Sequence, residues 1–489
     1  MALNLVRNSK VFFTTNVNTT TGVILAAGAG VNPFSSTNTQ EIQVLDGFTF
    51  SQNVNAETIT ITEAGSSPVR GQRSFNTSLA PVDFSFSTYL RPRNQSTKIT
   101  AEESVLWNAL LSDQAITTPV SLTAVSGVTL AATGIVTIAG TAISGTLPAV
   151  GDVITLSGIT GTTSVTGQEK YICSAGVVTA SAVGGVTIQL YNHAAVAATA
   201  TLGTASTVKY SKSSWVESNS TFSQASAGTS EKNQLQKFGL LFLVDNVLYA
   251  VDNCALNQVT VDFGLDSIAT AQWTGQATAL RQFSTAVTAT GGAFSNGTTT
   301  DVGTSAAYQA KDTAAQYITN KLSTVTLTAV KALGNSIAAA DAYVIPITGG
   351  SFTLNNNINY ITPANLGIVN APVTYYTGTR AITGTLNAYL RTGTVKETGE
   401  LLADLLAESG TTVEPMFALS INIGGAGSTR VTLEMPSITL GIPAIDVQQI
   451  VSTTINFTAQ GYIPSATAAN NLFDLTKPSD LLVRYFAAA

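Results

Sequence analysis

The chain has 489 residues, of which only 10% are charged, with a formal net charge of -6, one histidine and two cysteines. This length exceeds one ordinary domain and suits several, each able to bury a core. A hydrophobic content of 44% with so small a net charge excludes a disordered chain, and a single histidine excludes every metal site that needs two.

The start, MALNLVRNSKVFF, has neither a continuous apolar run nor a small-residue cleavage site, so no secretory signal is expected. Membrane insertion is not expected either, because the most apolar run, FGLLFLV from Phe238 to Val244, is far short of the roughly eighteen residues a spanning helix needs. From Glu41, EIQVLDGFTFSQNVNAETITITEAG reads as strand, turn and strand. PVDFSFSTYLR, from Pro81, alternates so that Val82, Phe84 and Phe86 share one face. The period then changes in ITAEESVLWNALLSD, Ile99 to Asp113, where Val105, Leu106, Ala109 and Leu110 recur at helical spacing and Thr100 with Glu103 has the spacing of a capping box.

From about Pro119 to Tyr210 short Val/Thr/Ile runs are separated by glycines, which predicts a small immunoglobulin-like β-sandwich, although the Cys…Trp…Cys hallmark is missing. Gly/Ser/Thr-rich stretches from Ser211 and from Thr285 predict long loops.

The earlier pattern then returns. AYVIPITGGSFTLNNNINYITPANLG from Ala342 resembles the stretch from Glu41, and RAITGTLNAYLR from Arg380 resembles the one that ends at Arg91. VKETGELLADLLAES, Val395 to Ser409, supplies a second amphipathic helix through Leu401, Leu402, Leu405 and Leu406. The stretch from Gln234 answers to EPMFALSINIGGAGSTRVTLEMPSITLGI from Glu414, with GGAGS as a hairpin tip, and the closing strands ATAQWTGQA and TTINFTAQG place Trp273 against Phe457. Four blocks in one order predict a tandem duplication. The expected division is a first domain split between 1–114 and 212–283, an inserted domain at 115–211, a linker at 284–318 and a second domain at 319–489. The expected fold class is mainly β (α+β): two β-sandwich or barrel domains, each with one flanking helix, plus the insertion.

Signs of chemistry are few. There is no G-x-S-x-G elbow and no P-loop, and the glycine clusters at Ala26 and Gly424 lack the lysine or following helix that would cradle a phosphate. His193 sits in a predicted loop, and the pairs Glu102/Glu103 and Asp404/Glu408 read as solvated helix faces rather than acid/base pairs. Cys173 and Cys254 fall in different predicted domains and read as separate reduced thiols. Arg70, Arg73, Arg91 and Arg93 are close enough in sequence to suggest phosphate contacts, but inter-subunit ion pairs or a solvated loop fit an acidic chain better. No catalytic, cofactor-binding or metal-ligating residue is assigned, and no cofactor.

The duplicated order of strand hairpin, strand ending near YLR, single helix, second hairpin and closing strand resembles the tail tube proteins of long-tailed bacteriophages. The resemblance covers about two thirds of the chain and leaves out the insertion. It implies a structural virion protein with no enzymatic activity, made in the host cytoplasm, whose two tube domains let three chains complete a pseudo-six-fold ring. Such homotrimeric rings stack into a hollow tube through which double-stranded DNA passes without specific binding. The tape measure protein, tail terminator and baseplate or tip would be neighbours, and immunoglobulin-like additions on the outside are familiar in that family. Other readings remain open: a sheath or capsid-associated virion protein, a bacterial surface adhesin of β repeats, or a glycan depolymerase. The lack of a carboxylate-rich or aromatic cleft signature counts against the last.

Overall fold

The computed structural model describes most of 9–111, the strand backbones between 120 and 219, most of 235–284, 288–290 and 293–295, most of 306–459, and 479–486. The first repeat contains β1 (Lys10–Thr14), β2 (Thr39–Ile42), β3 (Thr49–Thr62), β4 (Arg70–Tyr89), helix α1 (Ser104–Leu111), β5 (Phe238–Val244), β6 (Val247–Gly264), β7 (Thr270–Ala277) and β8 (Ala279–Ser284). The second contains β9 (Thr324–Ala329), β10 (Ala342–Ile345), β11 (Ile347–Asn355), β12 (Ala381–Tyr389), α2 (Thr398–Glu408), β13 (Phe417–Ile423), β14 (Arg430–Leu440), β15 (Ala444–Asp446), β16 (Ser452–Ala459) and β17 (Ser479–Phe486). The protein is mainly β, as the Thr/Val/Ile alternation predicts.

The ladders are antiparallel. β1 pairs with β2 and β5, β5 with β6, β6 with β7 and β8, β7 with β4, and β4 with β3. Every one of these pairings recurs in the second repeat: β9 with β10 and β13, β13 with β14, β14 with β16 and β17, β16 with β12, and β12 with β11. The duplication read from collinear motifs is therefore present in the hydrogen-bond topology.

The YLR motifs hold equivalent places. Tyr89 lies opposite Thr270 and Tyr389 opposite Ser452, while the Leu90 N–H donates to Ala269 O and the Leu390 N–H to Val451 O, both at 3.0 Å. The same register corrects one expectation. Trp273 faces Phe86 where Ile455 faces Leu386, so the counterpart of Trp273 is Ile455 and not Phe457.

Phe457 instead occupies the place of Gly275, and the reason lies across the strand. Gly275 faces Phe84 in the first repeat, and Phe457 faces Gly384 in the second. Each ring covers the glycine opposite, so one aromatic fills the same core volume from either side of the ladder. A Cβ on Gly275 would meet Phe84 Cζ at 2.4 Å, and one on Gly384 would meet Phe457 Cζ at 2.3 Å.

Both helices lie on the sheets, because three turns or fewer cannot persist alone; α2 buries Leu401, Leu402 and Leu405 of its apolar stripe and leaves the expected fourth member, Leu406, exposed. α1 buries Leu106, Trp107, Ala109, Leu110 and Leu111, and the Trp107 ring meets Trp273 edge to face at 5.0 Å. Thr100 does not hold the position that opens the helix. Thr100 belongs to a short strand, Lys98–Ala101, paired with Pro92–Gln95, and α1 begins only at Ser104.

The stretch between the halves of the first repeat forms its own antiparallel sheet. Val120–Leu130 pairs with Ile135–Ser144 on one side and with Thr207–Lys212 on the other. The ladder then continues through Val153–Ser157, Tyr171–Cys173 and Val186–Leu190 back to Ile135–Ser144, closing on itself.

The glycine beneath Phe457 gives a direct test. Gly384→Ala should destabilise the protein by about 1–3 kcal/mol, because the added methyl also meets Ser351 O at 2.3 Å, a backbone atom that cannot rotate away. Urea unfolding should show the lower midpoint, and Gly71→Ala, where a Cβ meets nothing within 4 Å, should leave it nearly unchanged.

Candidate functional site

The two repeats are joined edge to edge. The second half of β6 pairs with β11 from Gln258↔Asn355 to Gly264↔Gly349. One sheet thus runs β3, β4, β7, β6, β11, β12, β16 and on to β14 and β15. The two-residue period divides its side chains. Val82, Phe84, Phe86, Ala271, Trp273, Val259, Val261, Phe352, Leu354, Ile382, Leu386, Ile455 and Phe457 are buried on one face.

The other face is polar across the joint. It carries Thr49 and Ser51, Asp83 to Ser87, Gln272 to Gln276, Gln258 to Asp262, Ser351 to Asn355, Thr383 to Asn387 and Thr454 to Thr458 at alternate positions. Hydroxyls of neighbouring strands meet there: Thr49 with Ser85 at 2.9 Å, Thr260 with Thr353 at 3.3 Å, and Ser351 with Thr385 at 3.1 Å. Asp83 and Asp262 are the charged residues at these positions, and a shallow depression lined by Thr49, Ser51, Asp83 and Gln276 lies on this face.

Side chains close the seam behind the ladder. Buried Asn356 donates through Nδ2 to Leu110 O at 2.8 Å, tying the second repeat to the end of α1, and its Oδ1 accepts from Arg380 Nε at 3.3 Å. Tyr360 OH reaches Asn253 O and Gln276 O at 2.7 and 2.9 Å, and Tyr375 OH donates to Leu235 O at 3.0 Å. On the far side, Trp107 Nε1 donates to Tyr485 OH at 2.7 Å, so β17 of the second repeat is pinned to the helix of the first. Burial pushes the hydroxyl pKa of both Tyr360 and Tyr485 well up, which keeps them neutral donors. Sequence reading missed Asn356, Tyr360 and Tyr485, because nothing in their local pattern distinguishes a seam residue from a turn or strand residue.

The acidic pair just before α1 is not a solvated helix face. Glu102 and Glu103 are buried, and the Arg91 guanidinium pairs with Glu102 while the Arg91 N–H donates to Glu103 Oε1 at 3.0 Å. α2 repeats the arrangement with different groups: the Arg391 N–H donates to Thr398 Oγ1 at 2.8 Å, and Arg391 approaches Glu397 at 3.6 Å. Asp404 is likewise engaged, accepting from Tyr343 OH at 2.6 Å near Lys396, which bridges Asp341 and Glu400. The arginines do not form one cluster. Arg70 opens β4, whereas Arg91 lies just beyond its other end at Tyr89, so the length of the strand separates them.

Burial raises the pKa of Glu102 against the opposing pull of Arg91, and lifts that of Glu103 from 4.5 to about 7. Among the described residues no group of three or more His, Cys, Asp or Glu could hold a metal, and no helix is long and apolar enough to cross a membrane. His193, the glycine cluster at Ala26 and the side chains of Arg93 and Glu408 lie outside the described residues. Cys254 is a buried free thiol.

Two outcomes follow for this corner. Because Glu103 takes up a proton on folding between pH 4.5 and about 7, the native state should be favoured at pH 5 and lose about 3 kcal/mol by pH 8. Glu103→Gln should flatten that slope in urea titrations at the two pH values. Arg91→Ala should cost about 3–5 kcal/mol at neutral pH by stranding Glu102, whereas Arg391→Ala, at a half-exposed pair, should cost about 1 kcal/mol or less.

No protein-family model matches the chain. Over 476 residues, covering 95% of this chain and 74% of the relative, it is 26% identical to the tail tube protein pb6 of Escherichia phage T5. That coverage takes in the stretch 115–211, which the sequence patterns had left outside the resemblance, so the similarity to a phage tail tube protein extends along nearly the whole chain.

Proposed function

We propose that this chain is the repeating unit of a phage tail tube: a structural protein of the virion tail, without enzymatic activity, that assembles with itself into stacked rings. Three chains complete a ring of pseudo-six-fold symmetry, since each supplies two alike repeats. The observation that carries this reading is the joint. One repeat continues the sheet of the next by strand addition. Among the described residues the sheet then ends with β3, paired only to β4, at one margin and β15, paired only to β16, at the other. A head-to-tail contact of this kind either closes as a ring or propagates as a filament, and closure removes the open edges.

The polar face suits a passage for double-stranded DNA. DNA carries about one charge per 1.7 Å, and a basic wall would hold it by counterion release. At the alternate positions facing away from the core from Asp83 to Thr458, the sheet presents hydroxyls, amides and the carboxylates of Asp83 and Asp262. The stretch 115–211 is a β domain inserted between 1–114 and 212–283 that projects outside the wall, its strands closing in one ladder rather than forming the two sheets of an immunoglobulin-like sandwich, and the first tube domain is joined through 284–318 to the second at 319–489. The tape measure protein, the tail terminator and the baseplate or tip are its neighbours in the tail.

Negative-stain microscopy of concentrated purified protein tests this. Six-lobed rings or hollow filaments are expected, and a population of lone elongated monomers at every concentration would overturn the reading. Removing residues 119–210 should leave the tubes intact. In assembled tubes, Gln272→Lys with Thr383→Lys should retain duplex DNA at low salt and release it at high salt, while the parent tubes retain none.

A further inference from the structure

The joint within the chain is also a template for the joint between chains. The two repeats can be matched residue by residue through their ladders. Val251 faces Leu240 where Met435 faces Leu419, Leu256 faces Gly275 where Leu440 faces Phe457, and Asp262 faces Thr270 where Asp446 faces Ser452. The second half of β6 therefore corresponds to β15, with Thr260 matched to Ala444 and Val261 to Ile445. At the other margin, Phe352 and Thr353 face Gly384 and Thr383 as Phe50 and Ser51 face Phe84 and Asp83, so β11 corresponds to the start of β3.

Inside the chain, Val261 lies opposite Phe352 and both are fully buried, at 0% exposure. Ile445 holds the matching place at the outer margin and is 46% exposed, with Ile442 beside it at 58%. The helices show the same contrast. Leu111, next to the point where Asn356 reaches α1, is 1% exposed, and Leu406, which answers to it on α2 when Thr398 is matched to Glu103 as the acceptor of the YLR arginine N–H, is 52% exposed. Residues covered by the next repeat within the chain are thus open where the next repeat would belong to another molecule.

We infer that Ala444–Asp446 of one chain adds to the sheet of a second copy along Thr49–Ser51, antiparallel, with Ala444 opposite Ser51, Ile445 opposite Phe50 and Asp446 opposite Thr49. This deepens the ring reading and rests on it. Ile445 is covered on docking as Val261 is, β3 and β15 each gain a second neighbouring strand, and the polar face continues unbroken from one molecule to the next. Ile442 and Leu406 flank the added strand and are covered by the same neighbour.

The pair Ala444 and Ser51 matches Thr260 and Thr353, whose hydroxyls are 3.3 Å apart, so cysteines placed there are within disulfide reach. Full-length Ser51→Cys/Ala444→Cys, oxidised mildly after assembly, should give covalent multimers on a non-reducing gel, ending at a closed trimer. Asn55→Cys/Ala444→Cys, displaced four residues along β3 by about 13 Å at the strand rise, should give background levels, as should each single variant. Assemblies that form normally but cross-link no better in the Ser51→Cys/Ala444→Cys variant than in the Asn55→Cys/Ala444→Cys variant would overturn the register and leave the ring reading standing. Failure of the parent chain to assemble at all would overturn the ring reading itself.

Discussion

The ladder between Gln258–Gly264 and Gly349–Asn355 is the constraint on which the rest of the molecule depends. A strand at a sheet margin carries a row of backbone donors and acceptors that need partners. β6 and β11 satisfy one such pair of margins inside the chain, and in doing so they fix how one repeat sits against the next. Asn356, Tyr360, Tyr375 and the Trp107–Tyr485 hydrogen bond lock that arrangement from behind with buried polar contacts, each with a defined partner. Among the described residues one joint is made within the chain and two outer margins remain, and the proposed assembly rests on these outer edges.

The repeats keep the ladder and exchange the chemistry around it. The phenylalanine that covers a glycine sits on β4 in the first repeat and on β16 in the second. The side-chain oxygen that takes the N–H of the YLR arginine comes from Glu103 in one and Thr398 in the other. Arg91 pairs with Glu102 in a buried site where desolvation is severe, while Arg391 meets Glu397 with its side chain 55% exposed. A ring built from identical domains would have to use one solution six times. A fused pair can tune the joint within the chain separately from the joint between chains.

The long hairpin of β3 and β4 adds a second asymmetry. Beyond Asn53 its strands are exposed on both faces, including Val54, Ile59 and Phe75, and a two-stranded ribbon is marginal alone. The second repeat braces its base: the Leu79 N–H donates to Asn370 O at 2.7 Å and the Asn370 N–H to Thr77 O at 3.2 Å. The arm is held where it leaves the sheet, and its length beyond that point is surface available to other molecules.

Alternation of period two and the change to helical spacing are local properties, so the sequence by itself determined the mainly β class, the two helices, the buried sets around Phe84 and Leu386, and the order of the duplicated parts. The tertiary structure alone decided what long-range pairing sets: that β6 meets β11, that Trp273 answers to Ile455, that Glu102 and Glu103 are buried beside Arg91, and that Tyr485 crosses to the first helix. The physical reason is that side chains reveal which face of a strand is apolar, whereas the partner of an edge strand is chosen by backbone hydrogen bonds common to every residue but proline, which leave no trace in a sequence read one segment at a time.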